Sequence, residues 1–495
     1  MQLEVLEGSY PEVKSEVLIL GHYEDEPLSP PIRYVDEKLG GILAKAVQRK
    51  QLTGEYKSLK TYPVNGKPEW VLLVGLGKKE ELTLERLRRL AACSVKAARQ
   101  VGSTFTSDLH KYGIGTPAEN AKAVAMGTLL GLYTFTRYKT RDLEKLKTIE
   151  HGTLLDTERN KAELVRGCDE GIIIAESVIV ARDLVNTPAA DKAPRQLAQE
   201  AKRILKSVGC SIDIWDRKSL EKRGMQALLG VSRGSDQEAQ FIVIEHGPKK
   251  QKPIVLVGKG VTFDSGGLNI KTPYQNMLDM KSDMAGAAAV IGALRAAALL
   301  KLPQRLVGLI PATENMINGH ALKPGDVLKA SNGKTIEVAN TDAEGRLILA
   351  DALCYAETLQ PQAIIDFATL TGACMVALGY PHAGLFTKHD ELAQRLLDAS
   401  AASGDLAWRL PLTEEYSDLV KSDVADVRNI GKDTYAGAII GAVFLQHFVE
   451  KTPWAHLDIA GPAWLAEEKE YQSKGATGAG VRLIIELLQR WETIE

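Results

Sequence analysis

The sequence predicts an α/β protein of two domains, and three observations carry that expectation. At 495 residues the chain is too long for one ordinary core. Its hydrophobic share of 45% and charged share of 25% are those of a folded globular protein, not of a disordered one. Short apolar runs alternate with longer segments of helical periodicity along nearly the whole length, the pattern of a mixed, mostly parallel sheet flanked by helices.

In the first part, residues 3–6, 17–20 and 71–74 read as strands and residues 84–100 and 119–135 as helices. The proline-rich 27–31 reads as a surface loop, and 139–147 is a charged stretch near the end of this unit. A long helical pattern over 158–184 runs to Asn186-Thr187-Pro188, where proline ends it. Beyond it, strands are expected at 211–214, 241–245, 254–257, 305–310, 363–367 and 456–459. Helices are expected at 194–208, 285–300, 347–359, 436–449 and 481–491. The domains are therefore placed at 1–155 (N-terminal α/β), 156–190 (linking helix and connection) and 191–495 (the larger domain).

The most informative segment is Asn340-Thr341-Asp342-Ala343-Glu344-Gly345-Arg346-Leu347. Asp342 and Glu344 are two residues apart, which on an extended segment puts both carboxylates on one side, able to share a hard cation. Arg346 adds a permanent charge and a planar fork suited to an anion. The alternative is an acidic helix cap by Asp342. Upstream, Gly258-Lys259-Gly260 leads to Asp264-Ser265-Gly266-Gly267, then Lys271 and, in Met280-Lys281-Ser282-Asp283-Met284, Asp283. Residues 253–257 read as a buried parallel strand, so Lys259 and Asp264 fall past its carboxyl end, where open α/β sheets place their sites. The competing reading is a plain glycine-rich turn, with Lys259 pairing Asp264. Four acidic groups can neutralise two divalent ions bridged by carboxylates.

These motifs resemble those of the two-metal leucyl aminopeptidase (cytosol aminopeptidase) family, of bacterial type. The octapeptide 340–347 reads as that family's signature without substitution. The likeness continues through Ala368-Thr369-Leu370-Thr371-Gly372-Ala373, His456-Leu457-Asp458-Ile459-Ala460-Gly461 and Gly475-Ala476-Thr477-Gly478, covering the chain after about residue 175. The resemblance implies a small macro-like N-terminal domain and a catalytic C-terminal domain. It implies two divalent ions, Mn or Zn, with Asp264 and Glu344 spanning both, Asp342 serving the more exchangeable one, and Asp283 with Lys259 serving the tighter one. A lysine must be neutral to coordinate, which a nearby dication and partial burial would allow. The resemblance further implies Lys271 as oxyanion donor, Arg346 holding a bicarbonate that acts as general base, and a homohexamer. Met280, Asn340, Thr369, Gly372, Ala460 and Ala463 are the implied first-residue pocket, favouring leucine and other apolar groups, although core packing competes as an explanation for the two alanines. The expected substrates are peptides with a free N-terminus.

Composition narrows the alternatives. The net charge of −2 gives no strong pull toward nucleic acid or an anionic membrane. It leaves open a DNA-binding role, which some bacterial family members have. Arg86, Arg88, Arg89, Lys96 and Arg99 read as a solvated helix face. The N-terminus lacks a basic and apolar leader, and no apolar run reaches about 20 residues without a charge, Arg295 interrupting 285–300. A cytoplasmic protein is expected. Five cysteines without CxxC spacing read as small hydrophobes in a reducing compartment. The nine histidines show no HExxH, and His320, His382 and His456 read as structural. A two-metal phosphoesterase lacks the histidine-rich motifs it would want. A dinucleotide enzyme lacks GxGxxG, since neither Gly75-Leu76-Gly77 nor Gly258-Lys259-Gly260 completes it.

Overall fold

A computed structural model describes residues 1–24 and 26–492. The chain divides into two compact units, one comprising Met1–Glu176 with Glu467–Ser473 and the other Ser177–Ala466 with the residues from Lys474 onward. The division falls inside the helix Lys161–Asn186, and the first unit takes back a short return segment from late in the chain.

In the first unit, strands β1 (Gln2–Glu7), β2 (Val17–Tyr23), β3 (Leu59–Pro63), β4 (Trp70–Gly77), β5 (Thr104–Ser107) and β6 (His151–Asp156) form one sheet in the order β1-β6-β5-β2-β4-β3. All neighbours are parallel except β3 against β4. Side-chain alternation explains its two cores. Ile19, Leu72 and Val74 join Phe105 and Leu90 on one face, while Leu18, Leu20, Val71 and Leu73 join Ile32 and Leu43 on the other. A strand buried on both faces reads as a continuous apolar run, which is why β2 and β4 were legible. The expected loop over 27–31 is corrected: Pro30 and Pro31 open the helix Pro30–Lys38, where a missing N–H has no intrahelical partner to lose. Arg88 is also not solvated. It is 2% exposed and pairs with Glu85, while Arg86, Arg89 and Lys96 of the same helix pair with Glu81, Glu85 and Glu468.

The second unit is built on β7 (Ser211–Trp215), β8 (Gln240–His246), β9 (Ile254–Gly258), β10 (Gly260–Asp264), β11 (Leu306–Asn315), β12 (Val327–Lys329), β13 (Thr335–Glu337), β14 (Ala363–Ala368), β15 (Ala383–Phe386), β16 (Ala407–Arg409), β17 (Val427–Arg428) and β18 (Trp454–Asp458). Nine of these make the main sheet, β16-β15-β18-β14-β9-β11-β8-β7 with β10 beside β11; β12, β13 and β17 form a small separate one. The centre β18-β14-β9-β11 is parallel, and the antiparallel pairs lie toward the edges. Val255, Val257, Val307, Leu309 and Ile364 pack on one face against Leu347, Leu349 and Leu353 of the helix Glu344–Thr358. Met280–Leu299 is long and apolar enough to cross a membrane by length and composition despite Arg295, but 83% of its most apolar window is buried inside the protein.

Two sequence expectations are refined here. The segment after β9 is not a loop. The chain breaks pairing for one residue at Lys259 and resumes as β10, parallel to the far end of β11, so Asp264 is the last residue of a strand. Nor is the octapeptide extended through Glu344: Thr341 and Asp342 lie in a turn, Ala343 is the N-cap, and Glu344 begins the helix. Asp342 therefore does not cap it.

Candidate metal centre and active site

The groups singled out in the sequence meet at the carboxyl ends of the central strands. Lys259 is fixed by its backbone, its N–H donating to Phe367 O at 3.0 Å and its carbonyl accepting from Ala287 N–H at 2.9 Å. Its side chain points into a crowded space and is 3% exposed. There Lys259 Nζ donates to Asp283 Oδ1 at 2.7 Å and Thr369 O at 2.8 Å, and lies 3.0 Å from Glu344 Oε1. Asp264 is not its partner. Lys271 Nζ stands 2.7 Å from Asp264 Oδ2 and 2.6 Å from Asp342 Oδ1. Positive φ at Gly266 and Gly267, +89° and +63°, turns the chain after β10 so that Lys271 can return toward it.

Asp264, Asp342 and Glu344 each offer a carboxylate oxygen, and these oxygens lie within 4.8 Å of one another. Asp283 contributes a fourth carboxylate through its link to Lys259, and its Oδ2 is buried with no hydrogen-bond partner among the described residues. Four carboxylates thus face two ammonium groups, an arrangement short of positive charge and carrying an unmet acceptor. A donor set of carboxylate oxygens with one amine fits divalent cations. Asp342 is the most open of the four, its side chain 32% exposed against 6% or less for the others.

The electrostatics follow from burial. It pushes Asp283 up to about 8, with Lys259 opposing, and Asp342 up to about 6, with Asp264 adding to the rise. Asp264 is raised by burial and by Glu344. For Glu344, burial is outweighed by Lys259 and Lys271, which hold it below the usual range. Burial works against charge on Lys259 as well, but Asp283, Glu344 and Asp264 outweigh it and keep the ammonium well above its ordinary value. A dication among these carboxylates would reverse that balance.

Arg346, 6% exposed, donates from Nη1 to Asn429 O at 2.7 Å, and its Nε is buried without a partner among the described residues. Burial pulls its guanidinium down to about 10. Of the expected pocket residues, Thr369 is nearest the centre, donating from Oγ1 to Asp283 Oδ1 at 2.7 Å. Met280, Asn340 and Ala460 are half-buried and Gly372 is exposed, with nothing within 4 Å of where its Cβ would be. Ala463 is 2% exposed. His456 is fully buried against Asp366 at 2.5 Å.

Sequence reasoning missed three organising residues. Asn315, at the end of β11, donates from Nδ2 to Asp264 Oδ1 at 2.8 Å and Thr341 O at 3.0 Å, with Glu344 Oε2 at 3.5 Å. Asn429 joins Arg346 to Asn340, accepting Asn340 N–H at 3.3 Å and donating to its carbonyl at 2.7 Å. Asp458 accepts from Leu370 N–H, Thr371 Oγ1 and Ala460 N–H, tying together two segments named for the pocket. Lone amides carry no spacing signal, and Asp458, although inside the 456–461 likeness, was given no role there, so only the fold reveals what these residues do.

The cytosol aminopeptidase family's catalytic domain matches residues 179–485 and its N-terminal domain residues 19–142. A probable cytosol aminopeptidase of Geobacter sulfurreducens is 42% identical over 494 residues, covering 99% of each chain. One from Roseiflexus castenholzii is 45% identical over 499 residues, again covering 99% of each. Among solved structures, a tomato leucine aminopeptidase mutant superposes with a TM-score of 0.88 at 34% identity, covering 99% of this chain and 97% of that one. The bottromycin maturation enzyme BotP in complex with Mn gives 0.86 at 35% identity, covering 96% and 99%. With both family models matched and full-length relatives above 40% identity, the chain belongs to the cytosol aminopeptidase family, and it is a metal-dependent aminopeptidase.

Proposed function

We propose that the enzyme releases N-terminal amino acids, preferably leucine and other apolar residues, from peptides. The observation that carries this reading is the convergence of Asp264, Asp342 and Glu344 within 4.8 Å beside the amine of Lys271. Lys259, Asp264, Asp283, Asp342 and Glu344 would hold two divalent ions, Mn or Zn. Such a pair supplies Lewis acidity and an activated water at neutral pH.

The chain's own groups do the rest. Asp264 and Glu344, held by Asn315 and by the two lysines, would be the ligands shared by the pair, while the more open Asp342 would serve the exchangeable position. Lys271 would donate to the carbonyl oxygen of the scissile bond as negative charge develops there. The free Nε of Arg346 suits an anion, and bicarbonate held there would supply the general base. Thr369, Met280, Asn340, Gly372, Ala460 and Ala463 would shape the space for the first side chain, Gly372 leaving it open. Family likeness supports a homohexamer in the cytoplasm.

Hydrolysis of leucine p-nitroanilide beside its N-acetylated form tests the reading. The free amine should be cleaved and the blocked one not, activity should vanish on chelation, and Mn or Zn should restore it. Equal cleavage of both would sink the exopeptidase assignment.

A further inference from the structure

The N-terminal unit holds a second polar cavity that the peptidase reaction leaves unused. It lies past the carboxyl ends of the parallel strands β5 and β6, the edge where α/β sheets receive ligands. Its volume is 190 Å³, and His110, Lys111, Asp156, Glu158, Pro117 and Leu164 are among its lining residues. Two of these present unmet atoms. His110 Nδ1 and Asp156 Oδ2 are buried without any hydrogen-bond partner among the described residues, and the two residues are 4% and 1% exposed. Buried polar atoms are nearly always paired, so two orphans in one cavity point to a missing partner.

The neighbouring groups show what is missing. Asp156 Oδ1 already accepts Glu158 N–H at 2.9 Å. Asn120 exchanges two hydrogen bonds with the Gly115 backbone, both at 3.1 Å. Lys111 Nζ is engaged with Tyr10 Oη at 3.0 Å and Thr157 Oγ1 at 2.5 Å. The cavity therefore lacks a donor for Asp156. Burial, and then Lys111, pushes His110 down to about 3, so its ring is neutral and carries an acceptor nitrogen. Two carboxylates, Asp156 and Glu158, outnumber the single ammonium of Lys111.

We propose that this cavity binds a small primary ammonium compound, its N–H donors satisfying Asp156 Oδ2 and His110 Nδ1 and its body lying against Pro117 and Leu164. The volume admits only a compact molecule, well below the size of a usual cofactor site. This site is separate from the peptidase reading and stands or falls without it.

Isothermal titration of the full-length protein with isobutylammonium chloride, beside uncharged isobutyramide, tests the proposal. The ammonium should bind saturably to the wild type and equally to Asp342→Ala, and at least tenfold more weakly to Asp156→Asn, whose leucine p-nitroanilide turnover stays at the wild-type level. Should Asp156→Asn not fold, Asn160→Trp at the lining provides the block and should weaken binding to the same degree. Equal binding by wild type and either cavity variant overturns the proposal, as does binding of isobutyramide alone, binding lost in Asp342→Ala, or soaked crystals showing only ordered water in the cavity.

Discussion

Gly345 and Lys259 occupy adjoining space: a Cβ on Gly345 would stand 2.6 Å from the Lys259 amine nitrogen. The helix carrying Glu344 can begin against this lysine only because its second residue has no side chain. Gly345→Ala is expected to displace the amine from Asp283 and Glu344 and to lower both metal affinity and kcat at least tenfold. Metal titration with activity checks it; wild-type values for both would show that the lysine relocates freely.

Removing a carboxylate from the converging set should remove metal and rate together. Asp342→Ala and Glu344→Ala are expected to lose bound metal and to lower kcat/KM by about three orders of magnitude or more, a transition-state loss of at least ~4 kcal/mol. Elemental analysis of the purified variants alongside turnover decides it, and a variant with near-wild-type turnover would overturn the site.

Lys271 should behave differently. Its amine touches two carboxylates but is proposed to serve the substrate oxygen, so Lys271→Ala should retain metal while kcat falls by roughly a hundred- to a thousandfold, the usual cost of an oxyanion donor. Loss of metal in this variant would reassign the lysine to holding the ligands.

Asn315 orients Asp264 and reaches toward Glu344 without being a ligand candidate itself. Supporting partners of this kind are worth about 10- to 100-fold in metal affinity. Asn315→Ala should show that loss by competition with a chelator, and the rate should recover at saturating metal.

Asp108 supplies a pH prediction away from the metal centre. It is fully buried, and burial raises it to about 6 even though Tyr10 and Tyr112 donate to it at 3.0 and 3.1 Å. Because the folded state holds this proton more tightly than the unfolded chain does, its contribution to stability is full below pH ~4 and is lost as pH rises through about 6. The loss amounts to at most about 3 kcal/mol. Asp108→Asn should therefore gain stability relative to the wild type between pH 4 and 7, measured by urea unfolding at both. A difference that does not change with pH would show that Asp108 ionises freely in the folded protein.

The residue types of the site were legible because its chemistry demands charge among glycines, which is rare enough to stand out in Lys259–Asp264 and in the octapeptide. The central strands were legible because double burial leaves continuous apolar runs at 254–257 and 363–367. What escaped were features created by the tertiary fold. β10 is made a strand by its neighbour β11, not by its own pattern, since Gly260 and Asp264 at its ends weaken it locally. The start of the helix at Glu344 is set by packing without any side-chain cap. The ion pairs themselves were not legible from the residues alone: the resemblance grouped Asp283 with Lys259, but that Lys259 also reaches Glu344 while Asp264 falls to Lys271 is seen only in the fold.

The one-residue break between β9 and β10 has a consequence for how the enzyme matures. The carboxylates come from segments around 264, 283 and 342–344, with Asn315 between, so they are brought together only after several long loops have closed and β10 has docked on β11. No fragment of the second unit contains the proposed ligand set before that point. Metal uptake at the proposed ligands would therefore report completed assembly of the unit, and a cation that binds only the closed arrangement would stabilise it by an amount that grows with the logarithm of its affinity, acting as the last fastening of the fold as well as the reagent of its chemistry.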